Sequence, residues 1–250
     1  MTATQNTGGA NPRIDLASAP GTVYAWIGQR LEAMDVTGLR GQKVTLSLKV
    51  YANNPHNLGF YLAKPSGGTD NWTGETTVQS FSGFSHNGDS TFQAVEATLA
   101  TALSAADVLD GLMLHIDITD GLAAGSGDVV SITDVQLEVG EVATPFEQRS
   151  YAEELDLCQR YYWRGQLPGA GFGYKYGPTG VSLLGAGDVC YPVQMRVAPT
   201  LSIVTIPTYT NCSHTDLQGG TVGGFTHRVS VAPAGIFRVT GGVYSADAEL

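Results

Sequence analysis

Residues 132–163 read "ITDVQLEVGEVATPFEQRSYAEELDLCQRYYW" and join three kinds of local pattern. The segment opens with the apolar–polar alternation of a half-buried strand, and Pro145 then marks a turn because its ring fixes φ. Ser150 and Glu153 have the spacing of a capping box, which predicts a helix over residues 150–162. One strand, one turn and one short helix in mid-chain indicate a joint between two units.

The predicted helix carries one apolar stripe, because four of its residues recur at intervals of four, three and four. These residues are Tyr151, Leu155, Cys158 and Tyr162. A helix of about a dozen residues is marginal alone, since its nucleation is costly. The stripe therefore packs either on the chain's own β-structure or on the same helix of symmetry mates, and the spacing alone does not choose between the two.

The rest of the chain has the composition and periodicity of an all-β protein. Gly is abundant at 32 of 250 residues, charged residues make up 14%, and period-2 alternation is clear in "VTLSLKV" (44–50) and "LMLHIDIT" (112–119). Trp26 has an apolar, strand-like context and is predicted to lie in the core. The predicted organisation is an N-terminal arm (1–19), a β-sandwich or jelly roll (20–142), a linker with the helix (143–165) and a C-terminal β-sandwich (166–250).

Charge excludes some classes of partner. The net charge is −10, and residues 1–145 alone hold 6 Lys and Arg against 15 Asp and Glu, a balance of −9. Such an acidic half argues against binding nucleic acid or anionic membrane through bulk charge. No apolar run approaches the ~20 residues of a membrane span.

Cys158, Cys190 and Cys212 fit no zinc spacing, and their odd number leaves at least one thiol free or paired between chains.

Catalytic motifs are missing from the sequence. There is no H-E-x-x-H, no G-x-S-x-G and no P-loop, and no two of the five His residues have helical ligand spacing. Asp117 and Asp120 lie close together but are expected as solvated turn formers rather than an acid/base pair. The sequence therefore predicts a protein that is not an enzyme and has no cofactor.

Sugar binding needs aromatic rings for the apolar faces of pyranoses, with amides and carboxylates nearby for the hydroxyls. In the N-terminal domain the candidates are Asn54, His56, Tyr61, Asp70, Asn71 and Trp72. In the C-terminal domain they are Tyr174, Tyr176 and Tyr209. The alternative for the first set is packing of Tyr61 and Trp72 under loops or in the core, and for the second set packing against a neighbouring subunit.

Four segments carry a resemblance to a known family: "LRGQKVTLSLKVYA" (39–52), the stretch 132–163, "MRVAPTL" (195–201) and "GVYSADAEL" (242–250). Together they resemble tail-fibre proteins of tailed bacteriophages and prophages, and the likeness extends over most of the chain. The resemblance implies a jelly roll like that of carbohydrate-binding modules, then the joint, then a small β-domain. It also implies that Asp134 is a weak candidate for a structural calcium ligand.

The same resemblance implies a biological setting. The expected protein is a homotrimer at the virion tail tip, made in the host cytoplasm, with the apolar helix stripe near a threefold axis. Its partners would be other phage tail proteins, through the N-terminal region, and a host surface polysaccharide that it recognises without cleaving. One alternative is a structural fibre or adaptor segment without its own receptor site. Another is a polysaccharide depolymerase, against which the lack of a parallel β-helix repeat counts.

Overall fold

The computed structural model describes residues 2–6, 13–17, 25–122, 127–166, 173–175, 183–210, 212–231 and 235–248. Within these residues the chain is all-β, as predicted, with nineteen strands and three short α-helices. It divides into two compact units, residues 1–147 and residues 148–249. No helix in the described part of the chain is long and apolar enough to cross a membrane.

The first unit is a sandwich of two antiparallel sheets. Its strands are β1 (Thr2–Asn6), β2 (Arg13–Ala17), β3 (Ala25–Leu31), β4 (Val44–Ala52), β5 (Pro55–Pro65), β6 (Glu75–Ser80), β7 (Phe84–Asn87), β8 (Phe92–Thr98), β9 (Leu112–Ile118) and β10 (Val129–Val139). Sheet I has the strand order β1-β2-β10-β4-β8, and sheet II has the order β3-β9-β5-β6, with β7 also pairing with β5. Helices α1 (Ala33–Val36) and α2 (Ala105–Val108) and a 3₁₀ turn (Thr37–Leu39) connect strands.

Alternation along the strands builds the core of this sandwich. The inward residues of β4 and β9 belong to one buried apolar cluster, and they are Val44, Leu46, Leu48, Val50, Leu112, Leu114, Ile116 and Ile118. This confirms the inward faces predicted from period-2 alternation. Ser104 is the N-cap of α2 and forms a capping box with Asp107, whose Oδ2 accepts from the Ser104 backbone N–H at 2.8 Å.

Residues 1–19, predicted as an arm, instead supply two strands to sheet I. β1 pairs with β2, and β2 pairs with β10 so that Leu16 lies opposite Val130. Leu16 is completely buried, so its side chain anchors β2 to the core. The N-terminal segment is mostly polar, and Leu16 is the one fully buried residue of β2. The sequence therefore gives little indication of a strand there.

The second unit contains helix α3 (Tyr151–Gln159) and three small antiparallel sheets. Its strands are β11 (Tyr162–Gln166), β12 (Gly173–Lys175), β13 (Leu183–Cys190), β14 (Thr200–Thr205), β15 (Thr208–Thr210), β16 (Cys212–Thr221), β17 (Gly224–Val231), β18 (Gly235–Thr240) and β19 (Val243–Asp247). The strand orders are β11-β19-β14, β12-β18-β15 and β13-β17-β16. Its buried cluster is rich in aromatic rings and includes Tyr191, Phe225 and Tyr244.

Helix α3 begins where its capping box predicts and ends sooner than predicted. The Ser150 hydroxyl accepts from the Glu153 N–H, and the Glu153 carboxylate accepts from the Ser150 N–H at 2.9 Å. The helix does not reach Tyr162, which is the first residue of β11. The physical reason is non-local: the Tyr161 carbonyl accepts from the Ala248 N–H at 2.7 Å, which draws the chain into a sheet. The apolar stripe therefore continues from helix to strand.

Candidate functional site

Three neighbouring strands of sheet II bring an aromatic row to its outer face. In the register of the sheet, His115 on β9 lies opposite Gly28 on β3 and opposite Tyr61 on β5. The His115 and Tyr61 rings are stacked, with centroids 4.4 Å apart and planes 10° apart. On the other side of His115, the Trp26 ring lies 5.0 Å away and is tilted by 30°. We call Trp26, His115 and Tyr61 the aromatic row.

Gly28 makes room for the indole of this row. A Cβ atom at Gly28 would lie 1.9 Å from Met113 Cε and 2.7 Å from Trp26 Cζ3, so the Trp26 ring lies directly over the glycine. Trp26 is 44% exposed, and the prediction that it belongs to the core is wrong. Its neighbours Ala25 and Ile27 take the inward positions of β3 instead, because successive side chains of a strand point to opposite faces.

Polar groups border the aromatic row. The His115 Nε2 atom lies 3.1 Å from Glu75 Oε2, and the Glu75 side chain is partly exposed at the start of β6. His115 itself is only 2% exposed, and its Nδ1 atom has no hydrogen-bond partner among the described residues. Asp117 follows His115 on the same face of β9 and is also buried. The outer face of sheet II thus has the ring faces of the aromatic row beside the carboxylates of Glu75 and Asp117.

A second aromatic contact lies further along β3. The Arg30 guanidinium carbon is 5.3 Å from the centroid of the Trp72 ring, a cation–π arrangement. Trp72 comes from the loop before β6, and Asp70 anchors that loop with a backbone φ of 53°. The Asp70 Oδ1 atom accepts from the Ala33 N–H at 2.9 Å, and the Asp70 N–H donates to the Asp110 carbonyl at 2.9 Å. Asp70 therefore positions Trp72.

The other predicted N-terminal candidates have structural contacts. Asn71 Oδ1 accepts from the Thr73 N–H at 3.3 Å and so shapes the same loop. His56 is buried, with Nδ1 3.2 Å from Asp120 Oδ1. The Asn54 amide donates to the carboxylate of Asp128, a buried residue. Asn54 and His56 thus tie the start of β5 to the segment before β10, and of the six predicted residues only Tyr61 lies in the aromatic row.

The predicted C-terminal candidates are only partly described. Tyr174 lies in β12, but its side chain is outside the described residues, and so is the whole of Tyr176. Tyr209 lies in β15 with its ring centroid 6.2 Å from that of His227. Burial raises the pKa of the Tyr209 hydroxyl, and the neighbouring Cys212 adds to the effect. The structure therefore presents Tyr209 as a shielded ring.

Asp134, the weak calcium candidate, takes part in an ion pair. It sits at an irregularity of β10 with a φ of 54°, and its Oδ2 atom lies 2.8 Å from Lys49 Nζ. Among the described residues, no group of three or more His, Cys, Asp or Glu side chains is placed to hold a metal ion.

Sequence reasoning missed most of the row. Trp26, Arg30, Glu75 and His115 were not among the predicted binding residues. One usable signal was present, because the alternation of "LMLHIDIT" (112–119) places His115 and Asp117 on the face opposite the core.

Comparisons with known proteins give a distant likeness. No protein-family model and no curated protein matches the chain. Among solved structures, a CBM4 structure matches with a TM-score of 0.36 and 13% identity, over 56% of this chain and 90% of that one. The N-terminal cellulose-binding domain of Cellulomonas fimi β-1,4-glucanase C matches with a TM-score of 0.34 and 11% identity, over 56% and 84%.

A third solved structure is the family 11 carbohydrate-binding module from Clostridium thermocellum in complex with a β-1,3-1,4-mixed-linked tetrasaccharide. It matches with a TM-score of 0.35 and 11% identity, over 57% of this chain and 84% of that one. All three TM-scores are below 0.5, so the likeness does not indicate what this chain binds. Any inference about a ligand rests on the side chains of this chain.

Proposed function

We propose that the outer face of sheet II binds a carbohydrate chain, and the observation that carries the proposal is the aromatic row. Trp26 is an indole that stays 44% exposed on the outer face of a regular sheet. It is supported from beneath and beside by Gly28 and His115. A ring held in this way is a preorganised surface on which a ligand can pack.

The chemistry around the row suits a sugar. A pyranose combines apolar C–H faces, which pack on aromatic rings, with hydroxyls that both donate and accept hydrogen bonds. Glu75 offers carboxylate oxygens as acceptors, and Arg30 offers a guanidinium as donor. Trp26 and Arg30 are four residues apart on β3, so the face is about 13 Å long at ~3.3 Å per residue. That length accommodates more than one sugar ring.

Binding without cleavage is the proposed activity. Glycoside hydrolysis requires one carboxyl group that protonates the leaving oxygen and a second that acts as nucleophile or base. Glu75, the partly exposed carboxylate beside the row, lies 3.1 Å from His115 Nε2, which suits an orienting role better than proton transfer to a glycosidic oxygen. Incubation with host capsule or envelope polysaccharide and an assay for reducing ends tests this part, and release of reducing ends would establish a depolymerase instead.

The proposed setting is a homotrimeric tail-fibre protein of a phage virion that attaches to a host surface glycan. The resemblance of the stretch 132–163 to phage and prophage tail fibres supports it. Helix α3 supports the trimer, because within the described part of the chain none of its residues is buried and Tyr151 is 82% exposed. A helix of nine residues is marginal without packing, and a second copy of the chain would supply it.

A structural fibre or adaptor segment is the competing proposal for the same setting. In that proposal the protein is the same trimer with the same tail partners, but the aromatic row binds no ligand. Binding therefore discriminates between the two proposals, whereas the oligomeric state does not.

The decisive experiment is a glycan-array screen of the full chain, followed by calorimetric titration with the best neutral oligosaccharide. Trp26→Ala and Tyr61→Ala are expected to lower the affinity at least tenfold. Phe92→Ala is the matched control, because Phe92 is 43% exposed on the opposite sheet and should leave the titration unchanged. Full affinity in both row variants, or no glycan binding by the wild-type chain, would refute the proposal.

A further inference from the structure

The outer face of sheet I carries a separate pocket. The register of the sheet aligns four residues in one line across β2, β10, β4 and β8, and they are Asp15, Ser131, Tyr51 and Phe92. A cavity of about 340 Å³ opens at this line, with Arg13 and Thr91 also in its wall. This pocket shares no residue with the aromatic row.

Two rings give the pocket an apolar wall. The Tyr51 and Phe92 rings have centroids 5.6 Å apart and planes 49° apart, so they meet at an angle rather than in a stack. Phe92 is one of the large apolar residues that stay exposed in this unit, at 43%. An exposed ring beside a concave surface can pack on the C–H face of a sugar, as Trp26 can on sheet II.

Arg13 gives the pocket a positively charged group in a defined orientation. Its Nε atom lies 3.0 and 3.3 Å from the two carboxylate oxygens of Asp15, and the Asp15 side chain is mostly buried. The two terminal nitrogens of Arg13 donate to no atom of the described residues. Asp15 contacts the guanidinium only at Nε. The opposite edge, formed by Nη1 and Nη2, has the geometry for a two-point contact with a second carboxylate.

The wall on the side of β8 is pre-formed by local hydrogen bonds. Asp89 Oδ1 accepts from the Thr91 N–H at 3.0 Å and from the Thr91 hydroxyl at 2.7 Å. The Thr91 hydroxyl thereby lowers the pKa of the Asp89 carboxyl. The Ser90 N–H donates to the Ala52 carbonyl at 3.1 Å. The pocket therefore needs little ordering when a ligand enters.

The charges around the pocket decide which kind of anion it suits. Residues 1–145 carry 6 cationic and 15 anionic side chains, and two of the anionic ones, Asp15 and Asp89, contact the wall residues Arg13 and Thr91. A free inorganic anion would meet this negative field with one guanidinium edge and little else. An anion that also offers a sugar ring would gain packing on Phe92 in addition.

We propose that this pocket binds an acidic sugar residue, a uronic acid, with its carboxylate on the outer edge of Arg13 and its ring on Phe92. Ser131, the neighbour of Tyr51 in the line, is also in the pocket wall, and its hydroxyl group is placed to meet a sugar hydroxyl. The chain would then have two carbohydrate sites, one on each sheet of the same sandwich, and the acidic site would be independent of the proposed row.

The test uses the full chain and oligosaccharides of galacturonic or glucuronic acid, compared with the same oligosaccharides after reduction of their carboxyl groups. We expect calorimetric titration to show binding of the acidic form and a loss of at least tenfold for the reduced form. Arg13→Gln and Phe92→Ala should each lower the affinity for the acidic form at least tenfold. Arg13→Lys keeps the charge without the fork and should recover only part of the loss.

Controls separate this site from the aromatic row. Trp26→Ala should leave uronate binding unchanged, and Phe92→Ala should leave binding of neutral oligosaccharides unchanged. Phe92→Ala also guards against a folding artefact, because Phe92 is 43% exposed and is not part of the buried core. The proposal is overturned if acidic oligosaccharides do not bind, or if Trp26→Ala abolishes their binding. It is equally overturned if acetate or inorganic phosphate binds as tightly as the uronate.

Discussion

Replacing Gly28 with alanine perturbs the aromatic row without removing any of its rings. The new Cβ would lie 1.9 Å from Met113 Cε and 2.7 Å from Trp26 Cζ3, and both separations are shorter than real contacts of a Cβ atom. The backbone of Gly28 is outside the left-handed region and accepts alanine without strain. The variant must therefore push both the Met113 methyl of β9 and the Trp26 indole of β3 away from residue 28.

The expected magnitudes differ for stability and for binding. Glycine in a strand is about 0.5–1 kcal/mol less favourable than alanine, and this gain offsets the cost of moving the flexible end of Met113. The free energy of unfolding should change by less than about 1 kcal/mol. A well-placed aromatic contact is worth roughly 0.5–1.5 kcal/mol beyond buried area, so the Kd for a neutral oligosaccharide should rise about 2- to 12-fold.

Calorimetric titration gives the Kd, and urea unfolding followed by tryptophan fluorescence gives the stability. Gly38→Ala is the matched control, because a Cβ at Gly38 has nothing within 4 Å and the backbone there is also compatible with alanine. An unchanged Kd for Gly28→Ala would show that the position of the indole over β3 does not matter for binding. A stability loss of several kcal/mol would show that the row is part of the core instead.

Four further predictions concern the second unit. The Tyr244 hydroxyl is fully buried without a partner among the described residues, so Tyr244→Phe should leave the free energy of unfolding unchanged or raise it by about 1 kcal/mol in urea titrations. Burial raises the pKa of Tyr191 to about 12, so stability should be complete below pH ~10 and fall between pH 10 and 12 in alkaline unfolding, and Tyr191→Phe should flatten that fall. The Ser150 N–H lowers the pKa of Glu153 from 4.5, so an NMR titration should show its capping contribution present above that pH and lost as pH falls through the lowered pKa. If the chain forms the proposed trimer, Leu155→Glu should convert it to a monomer in light scattering, and a wild-type monomer at micromolar concentration would refute the proposal.

Local rules predicted the parts of the fold that depend on neighbouring residues. The alternation of β9 identified the inward side of the strand, and the capping box identified the start of α3, because both patterns act within a few residues. The end of α3 depends on a hydrogen bond between Tyr161 and Ala248, which are far apart in the chain. No local pattern contains that information.

The candidate site was only partly predictable for the same reason. Tyr61 was identified by its residue type, but its partners in the row come from β3 and β9. The strand order β3-β9-β5 places together segments that are separated by dozens of residues, and sequence alternation does not give strand order or register. The apolar, strand-like context of Trp26 predicts a core position, but that context does not show which of the two faces of β3 is inward.

The position of the row on a sheet, rather than on loops, bears on how such a protein would bind. A sheet face is held by the hydrogen bonds of its strands, so the rings of Trp26 and Tyr61 are ordered before a ligand arrives and little entropy is lost on binding. A shallow face nevertheless gives only modest affinity for a single sugar segment. In the proposed trimer, three such faces on one particle would bind the same polysaccharide. Once one face is bound, the high effective concentration of the other two would raise the overall avidity well above the affinity of a single face. A comparison of the Kd for a short oligosaccharide with the retention of the intact protein on a polysaccharide surface measures that gain, which should disappear in the Leu155→Glu variant while the single-site Kd stays the same.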